Sequence, residues 1–155
     1  MTRVLPLEEA AALSARLRAE GKTVVMANGV FDLLHVGHLR YLEDARRHGD
    51  ALLVAVNSDA SARALKGEGR QVVPEAERLE LVAALRCVDG AFLFAEPDVR
   101  GVLRALKPHC HAKGTDYTAQ TVPEREVIAE WGGKVVITGD PKAHSSTEVL
   151  NTLKR

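Results

Sequence analysis

Cysteine is scarce in this chain of 155 residues: Cys87 and Cys110 are its only two, and they do not form a CxxC pair. Two cysteines are too few for a disulfide framework, so we expect free thiols in a reducing compartment, the cytoplasm. Net charge is also lacking, because 21 basic residues balance 21 acidic residues. This balance gives no reason to expect a nucleic acid or an acidic membrane surface as a partner.

Long apolar runs are missing as well. No run approaches the ~18 apolar residues that a membrane span requires, and residues 1–6 begin no long apolar segment of the kind found in a signal peptide. We therefore expect neither a membrane span nor a secretory leader. The hydrophobic content of 46% and the charged content of 27% are ordinary for a globular protein. The length predicts one domain over residues 1–155.

Short apolar runs alternate with amphipathic segments along the chain. The apolar runs predict strands at residues 23–27, 51–56, 91–94, 109–112 and 134–138. The amphipathic segments predict helices at residues 7–19, 39–47, 58–65, 75–86, 98–106, 122–131 and 145–153, with a mobile loop at 66–74. This alternation predicts an α/β fold, a Rossmann-like doubly wound five-stranded parallel sheet with helices on both faces. Residues 1–21 would form an N-terminal helical extension.

Residues 28–38, with the sequence NGVFDLLHVGH, join the first predicted strand to the next helix. The amino end of a helix offers unpaired N–H donors and a partial positive charge, which suit a phosphate group. His35 and His38 are three residues apart and therefore share one face of the first helical turn. Gly37 lies between them without a side chain, which would let a sugar or base pack on the helix backbone. The stretch predicts a nucleotide site.

Two other interpretations of the histidine pair are less favourable. The zinc-protease pattern spaces its histidines by four residues with a glutamate between them, and the sequence offers no Cys/His cluster to supply further ligands. A pair of surface histidines at a helix start would explain either residue alone. It would not explain their combination with Gly29, Asp32 and Gly37.

The tetrapeptide HVGH at residues 35–38 resembles the HxGH signature of the nucleotidylyltransferase superfamily. Further segments extend the resemblance over nearly the whole chain: VAVNSD at 54–59, LKG at 65–67, ER at 77–78, ALRCVD at 84–89 and KGTDY at 113–117. Together these segments look most like the heptose 1-phosphate adenylyltransferase domain of a bifunctional enzyme. Glycerol-3-phosphate cytidylyltransferase is the next most similar family.

The resemblance implies a role for each matching residue. His35, His38 and Lys66 would be catalytic, stabilising the transition state at the α-phosphorus. Nucleotide binding is implied for Asn28, Gly29, Val30, Phe31, Gly37, Lys113, Gly114, Asp116, Ser145, Ser146 and Thr147. Contact with the acceptor or its phosphate is implied for Asp32, Arg78 and Lys142. Plainer alternatives stay open: a solvated loop lysine (Lys66), an exposed helix arginine (Arg78), a helix-start residue (Asp32) and a turn cap (Asp116). An ordinary helix cap at residues 144–147 is also open and is compatible with phosphate binding.

The chain departs from the family patterns in two places. Cytidylyltransferases carry Arg-Thr-Glu-Gly before their Ser-Thr pair, whereas residues 141–144 here are PKAH. Lys142 would then supply the charge without the forked geometry of arginine. The heptose enzyme usually has Gly-Gly-Asp where this chain has Gly114, Thr115 and Asp116, so Thr115 would alter the fit of the base or acceptor.

The implied partners are a nucleoside triphosphate, ATP or CTP, and a phosphorylated small-molecule acceptor. AMP transfer to D-glycero-D-manno-heptose 1-phosphate with release of pyrophosphate is favoured. The alternatives are a CTP enzyme resembling glycerol-3-phosphate cytidylyltransferase and a non-catalytic nucleotide-binding module. The resemblance further implies Mg2+ (magnesium) bridging the phosphates without direct ligation by the protein, and a homodimer.

Overall fold

The computed structural model describes residues 3–67, 72–140 and 153. Its strands are β1 (Val24–Gly29), β2 (Ala51–Asn57), β3 (Gly90–Phe94), β4 (Cys110–Lys113) and β5 (Lys134–Ile137). Its helices in the described ranges are α1 (Leu7–Ala19), α2 (Val36–Arg46), α3 (Asp59–Lys66), α4 (Glu75–Ala84), α5 (Arg100–Leu106) and α6 (Arg125–Ala129). Within these ranges no helix has the length and apolar character needed to cross a membrane.

The five strands form one parallel sheet in the order β3–β2–β1–β4–β5. From β1 the chain builds outward through β2 to β3, then returns to the other side of β1 for β4 and β5. The predicted Rossmann-like, doubly wound sheet is therefore confirmed. Strand order reverses between β1 and β4, and in open α/β sheets ligands bind beyond the carboxyl ends of the strands at such a reversal.

Helices cover both faces of the sheet because its central strands are apolar on both sides. All seven residues of β2 are buried, which is the pattern of a strand in a parallel sheet between two helical layers. One core packs α2 and α4 against the sheet through residues such as Leu42 and Val82. The other core packs α1, α5 and α6 against the opposite face through residues such as Ala10, Leu103 and Val127.

Helix α1 is an integral part of the second layer. Ala10 and Ser14 are fully buried, and the Ser14 hydroxyl donates to the carbonyl oxygen of Leu106 at 2.6 Å. The predicted N-terminal extension thus packs on the sheet as its other helices do. The single domain over residues 1–155 stays a prediction, because most of the last fifteen residues lie outside the described ranges.

Several predicted helix bounds are wrong. The helix predicted at 98–106 begins at Arg100, since the Asp98 carboxylate accepts the Arg100 backbone N–H at 3.0 Å. The helix predicted at 75–86 ends at Ala84, and the one predicted at 122–131 spans five residues only. Lys66, predicted to begin a loop, is the last residue of α3, which ends at Gly67 with a φ of 86°. The final helix predicted at 145–153 lies outside the described residues except for Leu153.

Candidate active site

The chain turns sharply between the end of β1 and the start of α2. Phe31 has a left-handed backbone conformation with a φ of 54°, a strained state that bulky residues rarely adopt outside functional sites. A Cβ on Gly29 would lie 3.1 Å from the Phe31 ring, so the glycine leaves room for that ring under the turn. Val30 and Phe31 are buried. The side chains of this predicted nucleotide-binding pair therefore support the turn from beneath.

His35 and His38 form a reciprocal cap at the amino end of α2. Nδ1 of His35 accepts the backbone N–H of Gly37 at 3.1 Å, and Nδ1 of His38 accepts the backbone N–H of His35 at 3.3 Å. The two rings stack with their centroids 4.0 Å apart, and the edge of Phe31 packs on His38 at 5.5 Å. Because both Nδ1 atoms are acceptors, each neutral ring carries its proton on Nε2. The cap thereby fixes which nitrogen of each ring is a donor.

A crevice begins where the β1–β4 pairing stops. The ladder joins Val25 to Cys110 and Met26 to His111, although β1 continues to Gly29. Tyr41 of α2 bridges the two strands beyond that point, since its hydroxyl donates to the carbonyl oxygen of Ala112 at 2.6 Å. Burial raises the pKa of Tyr41 and the nearby Asp116 and Tyr117 act in the same direction, whereas the backbone N–H of Asn28 opposes them. Tyr41 thus stays a neutral donor between the strands.

The loop after β4 brings three predicted nucleotide-binding residues to the same edge of the sheet. Lys113 Nζ lies 4.6 Å from the centroid of the Tyr117 ring, a cation–π contact. A Cβ on Gly114 would lie 3.1 Å from Oδ1 of Asp116, so glycine allows this tight turn. Thr115 donates its hydroxyl to the carbonyl oxygen of Asp140 at 2.8 Å. Thr115 thus connects the β4 loop to the segment after β5. A glycine at this position, as in the Gly-Gly-Asp pattern, could not form this side-chain bond.

Arg78 is one of the most buried side chains among the described residues, with no exposed surface. Its guanidinium donates to the carbonyl oxygens of Val73 (2.9 Å), Val30 (2.6 Å) and Asn57 (2.8 Å) and to Oδ1 of Asp59 (2.8 Å). The alternative interpretation of Arg78 as an exposed helix arginine is therefore wrong. The contacts with protein oxygens also leave little of the guanidinium for the predicted contact with the acceptor. Arg78 joins the carboxyl ends of β1 and β2 to α4.

Asp32 is also buried and supports the same region. Its carboxylate accepts the backbone N–H of Val72 through both oxygens at 2.9 Å and that of Val73 at 2.8 Å. The cap of α2 is His35, so the interpretation of Asp32 as a helix-start residue is wrong. Asp32 thus holds the backbone N–H groups of Val72 and Val73. Arg78 holds the carbonyl oxygen of Val73. Asp32 and Arg78, two of the three residues predicted to contact the acceptor or its phosphate, together anchor the segment that leads into α4.

Comparison with known proteins identifies the family to which this fold belongs. A family model described as cytidylyltransferase-like matches residues 26–151. The chain belongs to the cytidylyltransferase-like family. The match includes the histidine cap, the β1–β4 crevice and the loop after β4, and it confirms the predicted class, a nucleotidyltransferase.

Several relatives of this cytidylyltransferase-like chain carry the name bifunctional protein HldE. The protein from Streptomyces coelicolor is 47% identical over 143 residues, which cover 92% of this chain and 31% of that protein. The protein from Pelobacter propionicus is 45% identical over 133 residues, covering 86% of this chain and 27% of that protein. The chain therefore spans about a third of the length of these curated relatives.

Two solved structures resemble the cytidylyltransferase-like domain. One is a lipopolysaccharide core biosynthesis protein from Thermoplasma volcanium, with a TM-score of 0.68, 34% identity, and coverage of 79% of this chain and all of that chain. The other is pantoate–β-alanine ligase from Francisella tularensis, with a TM-score of 0.71 over 97% of this chain and 73% of that chain. Its 13% identity makes it a likeness of fold alone.

Five of the predicted site residues fall outside what the structure describes. They are the side chain of Lys66, together with Lys142, Ser145, Ser146 and Thr147. Their roles stay predictions from the family resemblance. The described site therefore consists of the α2 cap, the β1–β4 crevice and the β4 loop.

Two residues at the crevice were not predicted from the sequence. His111 is fully buried on β4, and its Nε2 lies 2.8 Å from Oδ1 of Asn28. Tyr41 lies on α2 and reaches β4 through its hydroxyl. A signal was available for His111, because a polar residue inside the apolar run at 109–112 must find a partner when it is buried. Tyr41 carried no such signal, since its partner is a backbone carbonyl.

Proposed function

We propose that this chain is an adenylyltransferase that transfers AMP from ATP to D-glycero-D-manno-heptose 1-phosphate and releases pyrophosphate. The observation that carries the proposal is the histidine cap, in which main-chain N–H groups bond to both Nδ1 atoms and orient the two rings at a helix amino end. The relationship to proteins named HldE and the resemblance to the heptose enzyme support this acceptor over glycerol 3-phosphate.

The reaction needs no general base. An oxygen of the acceptor phosphate attacks the α-phosphorus of ATP, the bond from that phosphorus to the bridging oxygen breaks, and pyrophosphate leaves with the electron pair. A phosphate monoester is already largely dianionic near neutral pH because its second pKa is ~6. Catalysis therefore depends on in-line positioning and on stabilising the charge that develops around the α-phosphorus.

The residues of the crevice divide this work between them. The Nε2–H groups of His35 and His38, aided by the positive end of α2, would donate to oxygens on the α-phosphorus and the leaving pyrophosphate. Lys113 would attract the triphosphate from the β4 side. Asn28 would add a neutral donor at the end of β1. Lys66, Ser145, Ser146 and Thr147 would complete the phosphate contacts, as the family resemblance implies.

Magnesium would arrive as part of the substrate, bound to the triphosphate. Within the described ranges, no three His, Cys, Asp or Glu side chains come together as a metal-binding group. The crevice instead presents imidazole, ammonium and amide donors, which suit phosphate oxygens. Mg2+ usually keeps several waters and binds through substrate phosphates, so this donor set fits a metal carried on ATP.

We further propose that the protein works as a homodimer in the cytoplasm. The resemblance to the heptose enzyme supports the dimer, and the two unpaired cysteines fit a reducing compartment. Sedimentation of the purified protein at micromolar concentration tests the dimer directly. A single species of monomer mass would contradict it.

Pyrophosphate release with defined substrate pairs tests the function. The purified protein is incubated with ATP or CTP, each with D-glycero-D-manno-heptose 1-phosphate or glycerol 3-phosphate, and with magnesium. We expect release with ATP and the heptose phosphate, and loss of that release in a His35→Ala, His38→Ala double variant. Preferential release with CTP and glycerol 3-phosphate would favour the cytidylyltransferase alternative. Tight nucleotide binding without release from any pair would favour the non-catalytic module.

A further inference from the structure

His111 occupies an unusual position for a histidine. It lies on β4 beside Met26 in the β1–β4 ladder, and its side chain has no exposed surface. Its Nε2 faces Oδ1 of Asn28 at 2.8 Å. Its Nδ1 is buried, and no described residue hydrogen-bonds to it. Among the described residues, the contact with Asn28 is therefore the one hydrogen bond of this ring.

The contact determines the proton position on His111 and the orientation of Asn28. A carboxamide oxygen accepts only, so Nε2 must carry the ring proton and Nδ1 must keep its lone pair. Burial, aided by the charge of Lys113, lowers the pKa of His111 to about 3, and the ring stays neutral at physiological pH. With Oδ1 occupied, Asn28 has its two Nδ2–H donors left for another group. Asn28 is only half-buried, so part of this residue is accessible to a ligand.

Asn28 stands where a phosphate is expected. It follows Ala27 at the carboxyl end of β1, beyond the last β1–β4 pair, and it is close to the Tyr41 hydroxyl that bridges the strands. Its side chain is thus held by His111. An amide fixed in this way is a preorganised donor, which loses little freedom when a ligand binds.

We propose that His111 is a positioning residue, which holds the Asn28 amide so that Nδ2 donates to a phosphate oxygen in the β1–β4 crevice. The inference deepens the proposed function and rests on it. The phosphate belongs either to the triphosphate or to the acceptor. A rise in KM for one substrate and not for the other identifies which.

Substitutions at His111 and Asn28 test the proposal. His111→Leu removes the donor, whereas His111→Gln keeps an amide N–H at a similar reach. Asn28→Ala and the Asn28→Ala, His111→Leu double variant complete a cycle. The matched control is His109→Leu, since His109 lies on the same chain segment but accepts the backbone N–H of Val24 at the opposite end of β1.

We expect His111→Leu to lower kcat/KM by on the order of 10-fold or more, as for other losses of positioning, with His111→Gln close to wild type. His111→Leu should have no further effect once Asn28 is alanine. Losses that multiply in the double variant, or a His111→Leu enzyme that matches His109→Leu, would overturn the proposal while leaving the proposed function intact. A wild-type protein that releases no pyrophosphate would instead defeat the proposed function.

A second measurement keeps the geometry testable if His111→Leu fails to fold. Nitrogen-15 NMR of the imidazole rings in the wild-type protein reports the tautomer of each histidine. We expect His111 as the neutral Nε2–H form, unchanged between pH 5 and pH 8. A neutral Nδ1–H form, or titration within that range, would overturn the proposal whatever the activity of the variants.

Discussion

The two histidines of the HxGH motif show how a short sequence pattern fixes chemistry at single atoms. The Nδ1 atom of each ring accepts a backbone N–H at the amino end of α2. Each ring is therefore oriented by the helix that it caps. Stacking of the rings at 4.0 Å restricts them further. Both rings are therefore oriented before any substrate binds, and the proposed electrostatic catalysis requires such preorganisation.

Replacing His38 by alanine should separate catalysis from folding. We expect turnover to fall by on the order of 10²-fold or more, because a donor to the developing charge is lost. The lost cap bond should lower the free energy of unfolding by only about 1 kcal/mol. Steady-state pyrophosphate release and urea unfolding measure the two effects. His48→Ala, at an exposed histidine beyond the other end of α2, is the control, and turnover near wild type in His38→Ala would contradict the assignment.

Individual site residues could be predicted from the sequence only where a motif fixes their local geometry. The pattern at residues 35–38 places both histidines on one helical turn whatever the rest of the fold does. The burial of Arg78 depends on where α4 lies against the ends of β1 and β2, which no local pattern contains. The same is true of His111, whose partner Asn28 is 83 residues away in the chain.

At the scale of secondary-structure elements, buried polar groups hold the site together. Arg78 of α4 binds carbonyl oxygens at the ends of β1 and β2, while Asp59 at the start of α3 completes its contacts. Although burial acts to raise it, hydrogen bonds from Arg78 and from a backbone amide hold the pKa of Asp59 below its usual range. One guanidinium therefore connects four elements beside the candidate active site.

Substitution of Arg78 tests whether this residue is structural or contacts substrate. Arg78→Met leaves three carbonyl oxygens and Asp59 without their donor, and we expect the free energy of unfolding to fall by about 3 to 5 kcal/mol. The free energy of unfolding of Arg78→Lys should lie between those of the wild type and Arg78→Met, since one ammonium cannot span the same acceptors. Arg86→Met, on an exposed arginine just after α4, should cost less than about 0.5 kcal/mol. Urea unfolding gives these values. Near-normal stability with a raised KM for the triphosphate would instead restore the predicted phosphate contact.

Strands were easier to predict than helix ends for a physical reason. A buried parallel strand requires an apolar run, so all five strands appear in the sequence within about two residues of their bounds. Helix ends depend instead on local backbone conformation and on side chains that bond to the backbone. Asp98 delays the start of α5, and the extended conformation of Leu85 ends α4 at Ala84. These local competitions do not change the apolar periodicity from which the helices were predicted.

At the scale of the whole molecule, the reversal of strand order predicts where the candidate site lies. The crevice opens because β1 and β4 stop pairing before their carboxyl ends, and motifs far apart in sequence meet at this edge. The alternation of strands and helices was enough to predict the sheet and this edge. It could not predict how the gap is bridged, since Tyr41 and His111 reach across it through tertiary contacts.

The buried histidine in this gap should make the stability of the whole molecule depend on pH. Burial, with the charge of Lys113, holds the pKa of His111 at about 3, against 6.5 in an unfolded chain. Between these values the unfolded state binds more protons, so stability falls as the pH is lowered. From pH 7 to pH 5 this residue alone should lower the free energy of unfolding by about 2 kcal/mol. Urea unfolding of the wild type and of His111→Gln at both pH values isolates its share, because the other groups cancel in the difference. Equal pH dependence in the two proteins would mean that His111 is not held neutral, and its bond to Asn28 would then need another explanation.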